Sequence, residues 1–276
     1  MSQDLLASNA IVGPIEPWLE SVGGIERAFR AQDSGCVSYI VTAAGERLFV
    51  KSARTALARA SLERAETLHR AIRHRALPPL LRTGASLEGP FHVYEAVPGE
   101  VLYDDVTMEG DAGRRHPDSA HACFRSLPVG RILDVLDTIF EVHVLLAEAG
   151  FVAVDFYDGS ILYDFKEHQT WLCDLDEYRP GPFVLEETRL PGSSRFMAPE
   201  EFVRGSRIDQ RANVFALGRT AAVLLGDGHV GSPAWRGSDE CEAVARRATA
   251  LNPEDRFHSV SAFRDAWADA RREGLS

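Results

Sequence analysis

The stretch between Gly150 and Asp176 combines a predicted β-hairpin with a concentration of acidic residues. Ser160–Tyr163 and Thr170–Cys173 are short and contain the β-branched and aromatic residues that are typical of strands. The run Asp164–Gln169 between them is charged and polar, as hairpin loops usually are. This stretch therefore predicts a two-stranded element whose open end is rich in carboxylates.

The acidic residues at that open end are four aspartates: Asp155, Asp158, Asp174 and Asp176. Pairing of the two strands would bring Ser160, at the start of the first, beside Asp174, just after the second. Carboxylates crowded in this way raise one another's pKa values unless they share a cation. The pattern is therefore typical of a cation site, but it also fits solvated turn residues, because Asp is common in turns.

Composition limits the class of protein. The chain has 276 residues, 45% of them hydrophobic, which is enough for one large domain or two lobes. Its net charge of −11 and the absence of a basic run argue against a nucleic-acid partner. The four cysteines form no CxxC pair, which favours reduced thiols over a zinc site or disulfides.

The same sequence gives no sign of export or membrane insertion. No run reaches the roughly 18 apolar residues of a membrane helix. The first residues, MSQDLLASNAIVGP, lack the cationic and apolar regions of a secretory signal. We therefore expect a cytoplasmic protein without a membrane partner.

Periodicity and turn residues predict an ordered series of elements before the hairpin. The series comprises strands at Cys36–Thr42 and Arg47–Lys51, a helix at Thr55–His74, a strand at Phe91–Glu95 and a long helix at Val129–Ala149. A short helix is also expected within residues 1–20. Strands thus dominate the first third of the chain and helices the remainder.

This order of elements, the spacing of Asp155, Ser160 and Asp174, and the motif GSSRFMAPEEF at Gly192–Phe202 resemble the protein-kinase superfamily, most closely the bacterial, eukaryotic-like Ser/Thr protein kinases. Some features are similar to aminoglycoside phosphotransferases. The resemblance implies an α+β, two-lobed fold, with a small antiparallel-sheet N-lobe that carries one helix and a mainly helical C-lobe. It implies a leader at 1–23, an N-lobe with hinge at 24–97, and a C-lobe at 98–276 with an insertion at about 104–126.

The resemblance also implies a chemistry, the ATP- and Mg²⁺-dependent transfer of a phosphoryl group to a hydroxyl. By it, Asp155 is the catalytic residue that orients the acceptor hydroxyl. Asp174 and Ser160, which stands where Asn is usual, bind the metal, and Asp176 is a candidate second ligand. Ser193 takes the position of the threonine that contacts the catalytic aspartate.

Nucleotide contacts follow from the resemblance in the first third of the chain. Lys51 is expected to bind the α- and β-phosphates, and Glu66, slightly preferred to Glu63, to pair with it. Gly35 is what remains of the three glycines expected in a phosphate-covering loop at residues 31–36. Backbone groups of the hinge, at Glu95 and Val97, are expected to hold the adenine.

Four further residues of the larger lobe receive structural roles. Glu200 is expected to form an ion pair with Arg256, which would close the lobe. Asn213 stands where the family has an aspartate that braces the catalytic loop. His143 is interpreted as a packed core histidine rather than a ligand.

Departures from the family pattern leave three functions open. The His-Arg that precedes the catalytic aspartate is Ala153-Val154 here, and the lysine two residues after it is Tyr157. The motif at 192–202 favours a protein acceptor and a Ser/Thr kinase. The unusual catalytic loop and the insertion favour a small-molecule O-phosphotransferase that acts on an antibiotic or sugar. The eroded glycine loop favours a pseudokinase that binds nucleotide or a partner without turnover.

Overall fold

The computed structural model describes residues 10–30, 34–43, 45–103, 110–228 and 232–274. The chain divides into two compact units, Met1–Pro98 and Gly99–Ser276. An antiparallel sheet dominates the first unit and helices dominate the second, so the fold is of the α+β class. Three predicted features extend beyond the described residues: the leader in its first nine residues, the glycine loop at 31–33 and the insertion at 104–109.

The first unit is built on a five-stranded sheet with the order β1-β2-β3-β5-β4, in which every neighbouring pair is antiparallel. Its strands are β1 (Gly24–Phe29), β2 (Cys36–Ala43), β3 (Glu46–Ala53), β4 (Leu80–Ala85) and β5 (Pro90–Glu95). The central strand β3 holds Lys51 opposite Ser38 on β2 and His92 on β5.

Two helices cover this sheet. In α1 (Ile15–Val22), Ile15 and Leu19 are fully buried in the same apolar cluster as Tyr39 and Phe91 of the sheet. The segment predicted as a leader therefore supplies part of the core of the first unit. Helix α2 (Ala56–Ala71) begins at Thr55, whose side chain accepts a hydrogen bond from the Ala58 N–H, a standard N-cap.

Helix α2 ends three residues earlier than the sequence pattern predicts. The backbone is already extended at Ile72. His74 then forms a local turn, since its Nδ1 accepts the Ala76 N–H and its carbonyl accepts the Leu77 N–H. These local bonds compete with continuation of the helix.

The second unit is mainly helical, with short strands between its helices. The helices are α3 (Gly110–Arg115), α4 (Ala120–Arg125), α5 (Val129–Glu148), α6 (Gln210–Leu225), α7 (Asp239–Ala248) and α8 (Val260–Glu273), with 3₁₀ turns at Asp158–Ser160, Pro199–Phe202 and Pro253–Asp255. The strands are β6 (Glu100–Val101), β7 (Phe151–Val152), β8 (Ile161–Asp164), β9 (Gln169–Leu172), β10 (Arg179–Pro180), β11 (Phe183–Val184) and β12 (Arg207–Ile208). The predicted hairpin is β8-β9, and β6 extends it to three strands.

The hairpin register differs slightly from the sequence prediction. Ser160 ends the preceding 3₁₀ turn instead of starting the strand, and Asp164 pairs with Gln169 instead of lying in the loop. The described part of the insertion contains the two helices α3 and α4. The differences at Ser160 and Asp164 move element boundaries and leave the order of the predicted elements unchanged.

Helices α5 and α6 form the centre of the second unit. His143 on α5 is fully buried, with its two ring nitrogens bonded to the Ile139 carbonyl at 2.8 Å and to the Tyr178 hydroxyl at 2.8 Å. Burial lowers the pKa of His143 to about 4, so the ring is neutral at pH 7. The interpretation of His143 as a core residue is confirmed.

Within the part of the chain that the structure describes, no helix has both the length and the apolar character needed to cross a bilayer. All four cysteines are free thiols, two of them buried.

Candidate functional site

The two candidate aspartates share an uncommon backbone conformation. Among the described residues, only three that are not glycine have positive φ: Asp155 at 62°, His168 at 56° and Asp174 at 58°. His168 lies in the hairpin turn, whereas the aspartates lie before and after the hairpin. A non-glycine residue in this region costs ~1–3 kcal/mol and persists where its surroundings hold it. Backbone strain is therefore concentrated at the positions to which the resemblance assigns chemistry.

Ser160 links these two aspartates. Its hydroxyl donates to the Asp155 carbonyl at 3.5 Å, a long contact, and its own carbonyl accepts the Cys173 N–H at 3.0 Å. Because Asp174 follows Cys173 directly, the hairpin brings the three predicted residues into one corner of the second unit. Ser160 is buried, Asp155 is half-buried and Asp174 is exposed.

The oxygen donors of this corner suit Mg²⁺. The described residues contain no group of three or more His, Cys, Asp or Glu side chains able to hold a metal by themselves. Mg²⁺ is usually held by one or two carboxylates together with water and substrate phosphates, so an all-protein cage is not required. The exposed Asp174 carboxylate and the Ser160 hydroxyl fit that role, while Asp176, the other predicted ligand, is buried.

Helix α6 braces the loop that carries Asp155. The Ala153 N–H donates to the Asn213 side-chain oxygen at 3.0 Å, and Asn213 is fully buried near the start of α6. The asparagine thus performs the bracing predicted for the aspartate that it replaces.

The segment that contains the GSSRF sequence packs directly on Asp155. Gly192 has φ of 134°, and a Cβ atom placed on it would lie 3.3 Å from both the Cα and the Oδ1 of Asp155. Glycine is thus needed both for the backbone conformation and for the close approach. Ser193 follows immediately and is half-buried, with its carbonyl accepting the Phe196 N–H at 2.9 Å.

Several bonds fix this segment. Arg189 donates to the Gly192 carbonyl at 2.7 Å, and Arg219 of α6 donates to the Arg195 carbonyl at 2.8 Å. The Glu201 carboxylate accepts the Ala198 N–H at 2.6 Å. The pKa of Glu201 is raised to about 8, mainly by burial and in part by the nearby negative charges of Glu200 and Asp155, while the Ala198 N–H opposes the shift.

The predicted ion pair between Glu200 and Arg256 is present. The two guanidinium Nη atoms of Arg256 lie 2.6 and 2.9 Å from the two carboxylate oxygens of Glu200, which is bidentate geometry. The arginine side chain has no exposed surface. The pair therefore joins the end of the 189–202 segment to the turn before α8.

One buried ion pair beside the site was not predicted. Arg114 of α3 donates to both carboxylate oxygens of Asp158, at 2.6 and 3.0 Å. Asp158 lies in the 3₁₀ turn between Asp155 and Ser160, so the insertion contacts the candidate catalytic loop directly. The sequence offered only a weak signal, since the partners are 44 residues apart and arginines are usually exposed.

His121 of α4 lies beside this pair, with its Nε2 3.7 Å from the nearer oxygen of Asp158. Burial is the main cause that lowers the pKa of His121 to about 4, although Asp158 opposes the shift. The imidazole is therefore neutral at pH 7, and Arg114 supplies the positive charge that balances Asp158.

In the first unit, Lys51 is only 5% exposed in the middle of the sheet. Burial lowers the pKa of His92, opposite Lys51, to about 4, and the charges of His69 and Lys51 add to the effect. The imidazole of His92 is therefore neutral at pH 7 and adds no positive charge beside Lys51.

The two candidate glutamates for Lys51 differ in their surroundings. Glu66 accepts a hydrogen bond from Thr83 at 3.3 Å and pairs with Arg70, one turn later on α2, at 2.5 Å. Glu63 is exposed. Both border a cavity of about 300 Å³ between α2 and strands β4 and β5. The pairing of either glutamate with Lys51 stays a prediction.

Two predicted nucleotide contacts are limited by local bonding. In the hinge, the Glu95 N–H donates to the Pro79 carbonyl at 3.0 Å, so this N–H is not available to a ligand. Gly35 has φ of 72°, and a Cβ atom there would lie 2.8 Å from the Thr55 hydroxyl. This glycine is therefore required by the turn and by contact with the cap of α2, whatever its role toward a phosphate.

Comparison with known proteins gives a partial match. No family model matches the chain. The tyrosine-protein kinase MasK of Myxococcus xanthus (strain DK1622) is 35% identical over 106 residues, an alignment that covers 31% of this chain and 16% of MasK. The similarity points to a kinase relationship. This chain thus matches only a small part of that longer relative.

Proposed function

We propose that this protein is an ATP- and Mg²⁺-dependent phosphotransferase that moves the γ-phosphate to the hydroxyl of a Ser/Thr protein substrate. The proposal rests on one observation: Ser160 connects Asp155 and Asp174, two aspartates whose backbones are both in the left-handed region. The similarity to MasK supports the reaction class.

Each residue receives a role that its surroundings permit. The Asp155 carboxylate would orient the acceptor hydroxyl and accept its proton, and Asp174 and Ser160 would hold Mg²⁺. Bound Mg²⁺ supplies charge neutralisation for the phosphates. Lys51 would bind the α- and β-phosphates, and the Glu95 carbonyl with the Val97 backbone would hold the adenine. Because phosphoryl transfer depends on position and charge, the pinned backbone at Asp155 is suited to it.

A protein acceptor is favoured by the segment at 189–202. This segment is anchored by Arg189, Arg219 and the Glu200–Arg256 pair, and its Gly192 packs against Asp155. A fixed segment beside the catalytic aspartate offers a surface against which an extended peptide can lie. Ser193 would then contact the acceptor or Asp155 from that segment.

A small-molecule O-phosphotransferase is the second candidate, and the insertion favours it. Helix α3 reaches the catalytic loop at Asp158, and Tyr103 lies between that helix and Tyr157. Structure added beside the catalytic loop would narrow the space for an acceptor, as a small alcohol or aminosugar requires.

The test is transfer of label from γ-labelled ATP with Mg²⁺, offered first to generic protein acceptors and then to a panel of small alcohols and aminosugars. Label on protein alone supports the first function, and label on a small acceptor alone supports the second. Lys51→Met is expected to lose at least ~10²-fold in turnover because charge on the phosphates is removed. Arg47→Met, an exposed position near the start of the same strand, is the matched control and should retain wild-type activity. Absence of label with every acceptor, although ATP binds, would leave a pseudokinase.

A further inference from the structure

The insertion is tied to the catalytic loop by a buried salt bridge. Arg114 is 6% exposed and Asp158 is 0% exposed, and both carboxylate oxygens are bonded. The guanidinium also stacks on the Tyr103 ring, 3.5 Å from its centroid. Planar stacking together with a two-point contact fixes the orientation of the arginine, which a lysine cannot reproduce.

The backbone that holds this arginine is itself fixed. The Ser119 hydroxyl donates to the Arg114 carbonyl at 2.9 Å and accepts the Ala122 N–H at 3.1 Å. Ser119 thereby joins the end of α3 to the start of α4. The Arg114–Asp158 salt bridge, here called the clamp, is therefore attached to a fixed backbone rather than to an exposed loop.

The aspartate that receives the clamp occupies the centre of the catalytic loop. Asp158 begins the 3₁₀ turn that ends at Ser160, and the Ser160 N–H donates to the Tyr157 carbonyl at 3.0 Å. Movement of Asp158 would therefore move Ser160 on one side and Asp155 on the other. By the family resemblance, Ala153, Val154 and Tyr157 occupy the positions of a His, an Arg and a Lys, so the loop lacks those three side chains.

A second path leads from the clamp to the 189–202 segment. The Tyr103 ring, on which Arg114 stacks, meets the Tyr157 ring edge-on with centroids 6.5 Å apart. Tyr157 meets Phe196 in the same way at 6.4 Å, and Phe196 is buried. These ring contacts thus connect the insertion to the catalytic loop and the catalytic loop to the proposed acceptor segment.

We propose that Arg114 is a positioning residue, which holds the loop from Asp155 to Ser160 in its working conformation through Asp158. The inference deepens the proposed function and rests on it for its kinetic readout. It gives the insertion a role in the reaction that does not depend on which acceptor is used.

The first measurement is kinetic. Arg114→Ala is expected to lower kcat roughly 10²-fold, since small misplacements of catalytic groups have effects of that size, while KM for ATP stays within about twofold. Arg114→Lys keeps the charge without the fork and should recover only part of the loss. Arg115→Ala, the exposed neighbour with the same change of charge, is the control and should behave as wild type. Unchanged kcat in Arg114→Ala would overturn the proposal.

The second measurement does not require activity. Hydrogen–deuterium exchange in Arg114→Ala should increase for peptides that cover residues 151–162 and stay unchanged for α6. This arm decides the role of Arg114 even if the wild-type protein transfers no phosphate. Unchanged exchange in the loop of a folded Arg114→Ala protein would contradict the inference.

A double variant separates positioning from stability. Replacement of a buried ion pair by apolar residues often restores stability. Arg114→Met combined with Asp158→Leu should therefore unfold near the wild-type temperature but keep a low kcat and rapid exchange in the loop. Recovery of wild-type kcat in the double variant would show that the pair is only structural.

Discussion

Arg256 directs every N–H of its guanidinium to a partner. Besides the two bonds to Glu200, it donates to the carbonyls of Ala250 at 2.7 Å, Arg211 at 3.0 Å and Leu251 at 3.1 Å. Arg256→Met would leave the Glu200 carboxylate, whose side chain is 12% exposed, without its counter-charge, and would remove the hydrogen bonds from the arginine to three carbonyls. Removal of one partner of a buried pair costs ~3–5 kcal/mol.

The assay for this prediction is urea unfolding followed by circular dichroism. A loss of ~4 kcal/mol with a slope of about 2–3 kcal/mol/M lowers the midpoint by roughly 1.3–2 M. Arg272→Met, which removes an exposed pair with Asp269, should change stability by less than about 0.5 kcal/mol. Addition of Glu200→Met to Arg256→Met should recover part of the loss, because no unpaired charge remains. Equal midpoints for Arg256→Met and Arg272→Met would refute the reasoning.

Three further perturbations test individual contacts. Asn213→Leu leaves the Ala153 N–H buried without an acceptor and should cost ~1–3 kcal/mol, seen as a lower thermal midpoint. Gly192→Ala should lower phosphate transfer by at least ~10-fold while calorimetry shows unchanged ATP binding, because the new methyl meets Asp155; a wild-type rate would contradict the contact. Glu201→Gln should stabilise the protein increasingly as pH rises from about 4.5 to about 8. The folded pKa of Glu201 is raised, so the wild-type carboxyl contributes stability below pH 4.5 and loses it between pH 4.5 and 8. Equal stability of the two proteins at pH 8 would contradict this prediction.

The sequence carried enough information to predict the elements because its periodic and turn signals are local. The lysine at the end of a strand, the hairpin with its flanking aspartates and the apolar helix α5 each depend on residues within one short window. The Glu200–Arg256 pair was predictable only through the family resemblance, since 56 residues separate its partners.

Other features depend on contacts that no local window contains. The bond between Arg114 and Asp158 forms only when α3 folds back onto the catalytic loop. Arginine and aspartate are both usually exposed, so their identity does not indicate a buried pair. Ile15 and Leu19 belong to the core of the first unit, but the sequence pattern of a short amphipathic helix does not show where its apolar face packs. In each case tertiary packing, rather than propensity, determines the outcome.

The central claim is that the corner formed by Asp155, Ser160 and Asp174 carries out phosphate transfer. Single-turnover transfer from γ-labelled ATP with Mg²⁺ should be compared for wild type, Asp155→Asn, Asp174→Asn and the exposed control Asp118→Asn. The account predicts a loss of at least ~10³-fold for the first two variants and less than about twofold for the control. Wild-type rates in both Asp155→Asn and Asp174→Asn would contradict it.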